Sequence, residues 1–403
     1  MIRKKIFNNT KTAFKLKSDN ELDRAIFLFS MMGKPTLVKS GIGLTKMSLK
    51  LKLPVEGLIK KTIFEQFAGG ETMEDCKPTI KTMYEANLCS ILDYSVEGKE
   101  TEEEFDAALE KKLSLIKFAK AENELPFAVF KPTGVGRFDI WEKLTANVSL
   151  DDDEKKEWEN IKRRVDKLCK TAHDLKVRLY ADGEESWMQT AADDLMEDMM
   201  RKYNKEEALI FNTLQCYRWD RIEYLKNLHE KGKADGFKIG AKIVRGAYME
   251  KENERAKKLG YVSPICESKE ATDVNFNSVM SYCLANLQDI AVFIGTHNEV
   301  SNYLALQIIE DKDIDLNDSR IWFSQLFGMS DHLSYNLAKR GYNAAKLVPF
   351  GPVRDVVPYL MRRAQENSSV KGQTGRELSL LLEERKRRKG HVTRHDRQEK
   401  ESF

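Results

Sequence analysis

Cysteine pairing is the first thing missing from this 403-residue chain. Cys76, Cys89, Cys169, Cys216, Cys266 and Cys283 stand far apart, none at C-x-x-C spacing, and no His/Cys cluster has the form of a zinc site. Reduced thiols in a cytosol-like compartment are expected, with no metal. A surplus of one charge is missing too. The net charge is +3, and much of it falls in "ERKRRKG", Glu384 to Gly390, and the residues after it. A nucleic-acid binder is therefore not indicated. Long apolar runs are absent. The one at Ala25 to Met32 is too short to cross a bilayer or to make a signal segment. The basic start is rich in Lys and Asn where a mitochondrial presequence would favour Arg and Ser, so a cytoplasmic setting is expected, mitochondrial if the source is eukaryotic. Finally, no G-x-G-x-x-G follows the first apolar run. "GVG" at Gly134 to Gly136 has Asp139 where the third glycine belongs.

What is present is a repeated layout. Residues 1–85 read as helical, with stretches such as "DNELDRAIFLFSMM". From Leu88 onward, short apolar or β-branched runs end in polar or glycine-rich residues and are followed by amphipathic stretches. Eight such runs occur: "LCSILDYSVEG", "FAVFKPTG", "VRLYADGEE", "ALIFNTLQCY", "IGAKIVRGAY", "IAVFIGTHN", "IWFSQLFGM" and "AAKLVPFGP". Eight β/α units over this length predict a (β/α)8 TIM-type barrel spanning 86–370, with an N-terminal helical region before it and a basic tail, 371–403, after it. Ser149 and the acids following it are expected to start the helix after the second strand.

In such a barrel, chemistry collects where strands end at the C-terminal face. Those ends carry Lys131, Asp182, Glu184, Gln215, Arg245, Tyr248, Thr296, His297 and Gln325. Strand alternation puts Lys242 and Val244 on one face and Arg245 on the other, so Lys242 points into the barrel. Gly246 after it permits a close backbone approach. "ADGEES", Ala181 to Ser186, offers three carboxylates, for which a capped loop is the ordinary reading. His297 in "GTHNE" has no partner set for a metal, and a hydrogen-bonded structural role is its ordinary reading.

The stretch "PYLMRRAQEN" follows the last run, and its proline places a helix start close to Pro358. At about 100° per residue, Tyr359, Arg362, Arg363 and Glu366 share one face, while Leu360, Met361 and Ala364 lie beside them and can bury. On spacing alone this is an exposed ion-pair cluster worth under about 1 kcal/mol. Its place after the last strand favours a clamp for a planar anion, which guanidinium forks match. The "ERKRRKG" segment reads as a disordered or frayed helix end, with contact to an acidic membrane surface as the functional alternative.

Taken as a set, "FKPTG", "ADGEES", "QCY", "KIVRGAY", "THN", "QLFGM", "VPFGP" and "PYLMRRAQEN" resemble the proline dehydrogenase family, over about Leu88 to Ser369. That resemblance implies a barrel flavoenzyme holding FAD without a Rossmann fingerprint, oxidising L-proline to Δ1-pyrroline-5-carboxylate and passing electrons to a membrane quinone. It assigns Arg362, Arg363 and Lys131 to the substrate carboxylate, Tyr359 to the proline ring and Glu366 to support of the arginines. Asp182 and Lys242 match its acidic and basic active-site residues. Gly183, Gln215, the Arg245–Gly246–Ala247 turn, Thr296 and His297 match flavin contacts, with Tyr248 packing nearby. One position departs from the pattern. Leu347, two before Pro349, stands where proline-specific members carry tyrosine, which opens 4-hydroxyproline as an alternative substrate. A different flavin barrel, similar to methylenetetrahydrofolate reductase, is the other enzymatic alternative.

Overall fold

The eight apolar runs become eight parallel strands: β1 (Cys89–Tyr94), β2 (Phe127–Phe130), β3 (Arg178–Ala181), β4 (Ile210–Gln215), β5 (Ile239–Val244), β6 (Ile290–Gly295), β7 (Ile321–Leu326) and β8 (Ala344–Phe350). The computed structural model describes residues 3–34, 36–38, 40–43, 56–94, 100–369 and 373–400. Each strand from β2 to β8 pairs with its successor, and β8 returns to β1. The ring is completed between β1 and β2, where Ser90 N–H donates to Glu124 O at 2.8 Å. The fold is the expected (β/α)8 barrel.

Period-two alternation decides what fills it. Ile91, Phe127, Val129, Tyr180, Phe211, Ala291, Phe293, Trp322 and Ala345 form the inner core. Phe127 is its hub, with the rings of Phe211, Phe293 and Trp322 edge-on at 5.4, 5.0 and 5.4 Å. Gly240 in β5 makes room for this, since a Cβ there would stand 2.5 Å from the Phe211 ring. A larger core lies between the strands and the surrounding helices.

Two helices, Phe138–Thr145 and Asp152–Leu175, lie between β2 and β3, and the second begins later than the sequence suggests. Asp151, not Ser149, caps Asp152–Leu175, accepting from the N–H groups of Asp153 and Glu154 while Glu154 returns a bond to the cap. A carboxylate answered by an acid three residues on makes the better reciprocal cap.

The ends of the chain fold onto one another. Phe14, Leu22, Ala25, Phe29, Phe64 and Phe67 share a third core with Val356, Val357 and Leu360 and with Leu380 and Leu381 of a C-terminal helix, Gln373–Lys400. The expectation of a frayed or disordered end at Glu384 to Gly390 is corrected here. Arg385 bonds Asp19 and Asp23, each at 2.7 Å, and Arg388 reaches the carbonyls of Phe14 and Lys17 at 2.8 and 2.9 Å. Buried Glu384 accepts from both Arg387 and Arg388. The apolar pair Leu380 and Leu381 draws the helix down, and the acids on the helix Asp19–Met32 receive its cations.

Candidate active site

The alternation that turns Ile91, Phe127, Val129, Tyr180 and Phe211 inward also turns Asp93, Lys131, Asp182 and Gln215 inward at the C-terminal mouth. Lys242 projects between the rings of Tyr180 and Phe293, with Nζ 3.9 and 5.9 Å from their centroids. It donates to Asp182 Oδ1 in a short ion pair. Tyr180 Oη, buried below this pair, has no hydrogen-bond partner among the described residues. Asp93 on β1 faces Lys112 Nζ at 3.5 Å. Burial lowers the pKa of Lys112, with Asp93 opposing and Lys131 reinforcing that shift. Leu347 is half-buried above the inner core.

The last barrel helix, Val353–Ser369, starts a turn and a half before the expected position, and Pro358 lies inside it. Pro352 takes the starting role: its carbonyl accepts from the N–H groups of Asp355 and Val356. Val353, Val356, Val357 and Leu360 then bury one stripe, so core packing outweighs the bond that Pro358 cannot donate. The arginines consequently fall in the third turn rather than the second. Tyr359, Arg362 and Arg363 are half-buried, and Leu360, Met361 and Ala364 are buried as the arc predicts. The Arg363 guanidinium lies 5.3 Å from the Tyr359 ring centroid. The helix faces the mouth. Burial is what chiefly raises the Tyr180 and Tyr248 hydroxyls and lowers the His297 imidazole, and Tyr359, Arg362 and Arg363 add smaller charge effects on these three groups in turn. The Glu366 side chain lies outside the described residues.

Around the rim, Gln215 Nε2 donates to Glu184 O at 2.6 Å across Gly183, where a Cβ would stand 3.0 Å from the Gln215 side chain. The buried Glu184 carboxylate accepts from Thr133 N–H and Oγ1 at 2.9 and 2.7 Å. Burial pushes its pKa up to about 7, against the opposing charge of Lys131. Arg245 turns outward. It bonds Asp273 at 2.7 Å, Thr296 Oγ1 at 2.6 Å and Ser301 Oγ at 3.0 Å, and stacks 4.4 Å from Phe276. Gly246, at φ +129°, is pressed to the Tyr217 ring, 2.5 Å from a would-be Cβ, so the close approach it permits is to that ring. Ala247 is exposed beside it. His297 accepts from Leu326 N–H at Nε2, 3.4 Å, so its proton sits on Nδ1, which donates to Ser330 Oγ at 2.8 Å. Burial, followed by Lys346 and Arg363, depresses its pKa to about 3 and keeps the ring neutral.

A sequence profile described as proline dehydrogenase matches residues 76–376, three-quarters of the chain. The chain belongs to the proline dehydrogenase family. The carbapenem antibiotics biosynthesis protein CarD of Pectobacterium carotovorum is 34% identical over 83% of this chain and 86% of its own length. Human mitochondrial proline dehydrogenase 1 is 42% identical over 56% of the chain, a stretch spanning 38% of that enzyme. A Xenopus laevis hydroxyproline dehydrogenase is 29% identical over 93% of this chain and 88% of its own. In fold, the chain follows the proline utilization A protein of Bdellovibrio bacteriovorus, with a TM-score of 0.70 at 20% identity, covering 91% of this chain and 37% of that one.

The mouth gathers Lys131, Asp182, Lys242, Leu347, Tyr359, Arg362 and Arg363. Gly183, Gln215, Thr296, His297, Gly246 and Tyr248 lie on the rim around them. Two inward groups escaped the sequence reading, Tyr180 and Asp93. Both were within reach of it, because each lies two residues along its strand from another inward position.

Proposed function

We propose that this chain oxidises L-proline to Δ1-pyrroline-5-carboxylate with FAD as its resident cofactor and a quinone as the final electron acceptor. The observation that supports this best is the meeting at one barrel mouth of the Lys242–Asp182 pair with Lys131 and the helix bearing Tyr359, Arg362 and Arg363. The donor set fits a flavin dinucleotide, whose pyrophosphate and ring carbonyls are acceptors: Gln215, Thr296 and the Gly246–Ala247 turn supply N–H and O–H groups along one rim. The buried Tyr180 hydroxyl beneath them, without a partner among the described residues, offers a further donor. A bound flavin supplies the hydride acceptor.

The residues of the chain supply position and charge. Arg362 and Arg363 grip the carboxylate, Lys131 adds a third cation, and Tyr359 and Leu347 wall the ring. The substrate amine has to be neutral before its neighbouring C–H bond breaks, because the nitrogen lone pair drives hydride departure. Asp182 is the carboxylate assigned to that proton, with Lys242 Nζ orienting it through Oδ1. Glu366 is assigned to support of the arginines. Electrons leave to a quinone at a membrane surface, which the protein meets peripherally. Among the described residues no helix is long and apolar enough to cross a membrane.

The test is spectral. Purified protein should be yellow and bleach when L-proline is added without oxygen; colourless protein, or a spectrum indifferent to proline, overturns the reading. The alternative substrate rests on Leu347. A side chain without a hydroxyl there leaves room at the ring, and the Xenopus relative is a hydroxyproline dehydrogenase. Comparing kcat/KM for proline and 4-hydroxyproline in wild type and Leu347→Tyr decides it, with the tyrosine variant expected to favour proline by roughly tenfold more.

A further inference from the structure

Outside the mouth lies a buried polar cluster that the proposed chemistry does not use. Ser330, at the start of the helix Asp331–Lys339, is a non-glycine residue in the left-handed region, with φ +52° and ψ 40°. Such a conformation persists only where its surroundings hold it. Here both ends of one peptide unit are held by buried charged side chains. The Met329 carbonyl accepts from Lys346 Nζ in a short bond, and the Ser330 N–H donates to Glu377 Oε2 at 2.9 Å. Lys346 and Glu377 are 1% and 4% exposed. Lys346 is anchored in turn by Asp331 at 2.9 Å, which also meets Lys17 at 3.3 Å.

Glu377 arrives on the C-terminal helix, one residue beyond the segment matched to the family. Its neighbour Arg376 bonds Glu299 at 2.7 Å, and Glu299 also meets His332 Nε2 at 3.1 Å. One turn on, Leu380 and Leu381 bury in the core of the chain ends. The helix is thus docked on both sides of Glu377. The hydroxyl of the clamped residue, Ser330 Oγ, receives the Nδ1 proton of His297 on the rim.

We infer that Glu377 is a positioning residue for the cofactor rim: by fixing the Ser330 backbone it fixes the tautomer and orientation of His297, so the C-terminal helix completes the site from behind. The last link, from His297 to the cofactor, rests on the proposed flavin function; the first two do not.

The experiment uses the full chain with 15N-labelled histidine, in wild type, Glu377→Gln, Glu377→Ala and Ser330→Ala. Imidazole 15N shifts read the His297 tautomer without any flavin, and FAD titration of the stripped protein reads affinity. Wild type and Glu377→Gln, whose amide oxygen still accepts the Ser330 N–H, should show one Nδ1-protonated species. Glu377→Ala should show mixed tautomers and bind FAD about tenfold more weakly. Ser330→Ala keeps the backbone bond to Glu377 but removes the hydroxyl, and should repeat the tautomer change if Glu377→Ala does not fold. A single, wild-type His297 signal in Glu377→Ala or in Ser330→Ala overturns the inference. Mixed tautomers with unchanged FAD affinity would remove the link to the cofactor. Wild type that binds no FAD while the tautomer effect stands would instead refute the proposed function.

Discussion

Replacing Lys242 with methionine removes one end of an ion pair largely shut off from water, its side chains 8% and 17% exposed. Methionine keeps most of the volume between Tyr180 and Phe293, so the loss is electrostatic. Removing one partner of a buried pair costs about 3–5 kcal/mol, because the remaining charge stays desolvated. Asp182 keeps some access to the mouth, so the lower end, about 3 kcal/mol, is expected. The lost cation–π contact with Tyr180 adds about 1 kcal/mol. Asp182→Asn alone leaves the more deeply buried Lys242 without its counter-charge, with only an amide oxygen still able to accept from it, and costs about 3 kcal/mol. The double variant strands neither charge. It should lie about 2 kcal/mol above the sum of the single changes, a coupling that a double-mutant cycle in urea reads directly. Zero coupling would refute the claim that the two groups form one buried electrostatic unit at the barrel mouth.

Two further tests probe other parts of the molecule. Gly328→Ala places a Cβ 1.9 Å from Gln66 O at φ +77°, whereas Gly236→Ala, at φ +66°, meets nothing within 4 Å. The first should cost roughly 3 kcal/mol or more and the second about 1 kcal/mol by urea unfolding; equal losses would mean that the packing of Gln66 on the β7 loop contributes nothing. Glu184 has its carboxyl raised from 4.5 to about 7, first by burial. The folded state therefore holds that proton more tightly than the unfolded chain. Its contribution is full below about pH 4.5 and is lost as pH rises through 7. Stability from pH 5 to 8 should fall less in Glu184→Gln than in wild type, by on the order of 2 kcal/mol; parallel curves would contradict the shift.

The barrel was legible because its signal is periodic. Each of the eight runs became a strand, and alternation alone put Lys242 in the barrel interior. The arc of "PYLMRRAQEN" was legible for the same reason, with Leu360, Met361 and Ala364 buried and the arginines beside them. Its start was misread because proline at a first turn is a local rule, and the valine stripe at Val353, Val356 and Val357 overrode it. The cap at Asp151 went to the carboxylate that Glu154 could answer. The C-terminal helix was hidden for a different reason. In "ERKRRKG" the charge is conspicuous, but the acids that neutralise it, Asp19 and Asp23, lie at the other end of the chain. Glu377, Ser330 and Lys346 meet across long sequence separations, and no spacing rule reaches them.

The grip of the twin arginines on a carboxylate is isolated by one ratio: kcat/KM for L-proline over that for pyrrolidine, which has the ring and amine but no carboxylate. Hydrogen bonds to a charged group contribute about 1.5–3 kcal/mol each, so wild type should prefer proline by a factor on the order of 10³ or more. In Arg362→Met or Arg363→Met, with flavin absorbance retained, the ratio should fall by roughly tenfold to a hundredfold. A ratio unchanged by either substitution, in protein that still carries its flavin, would contradict the clamp.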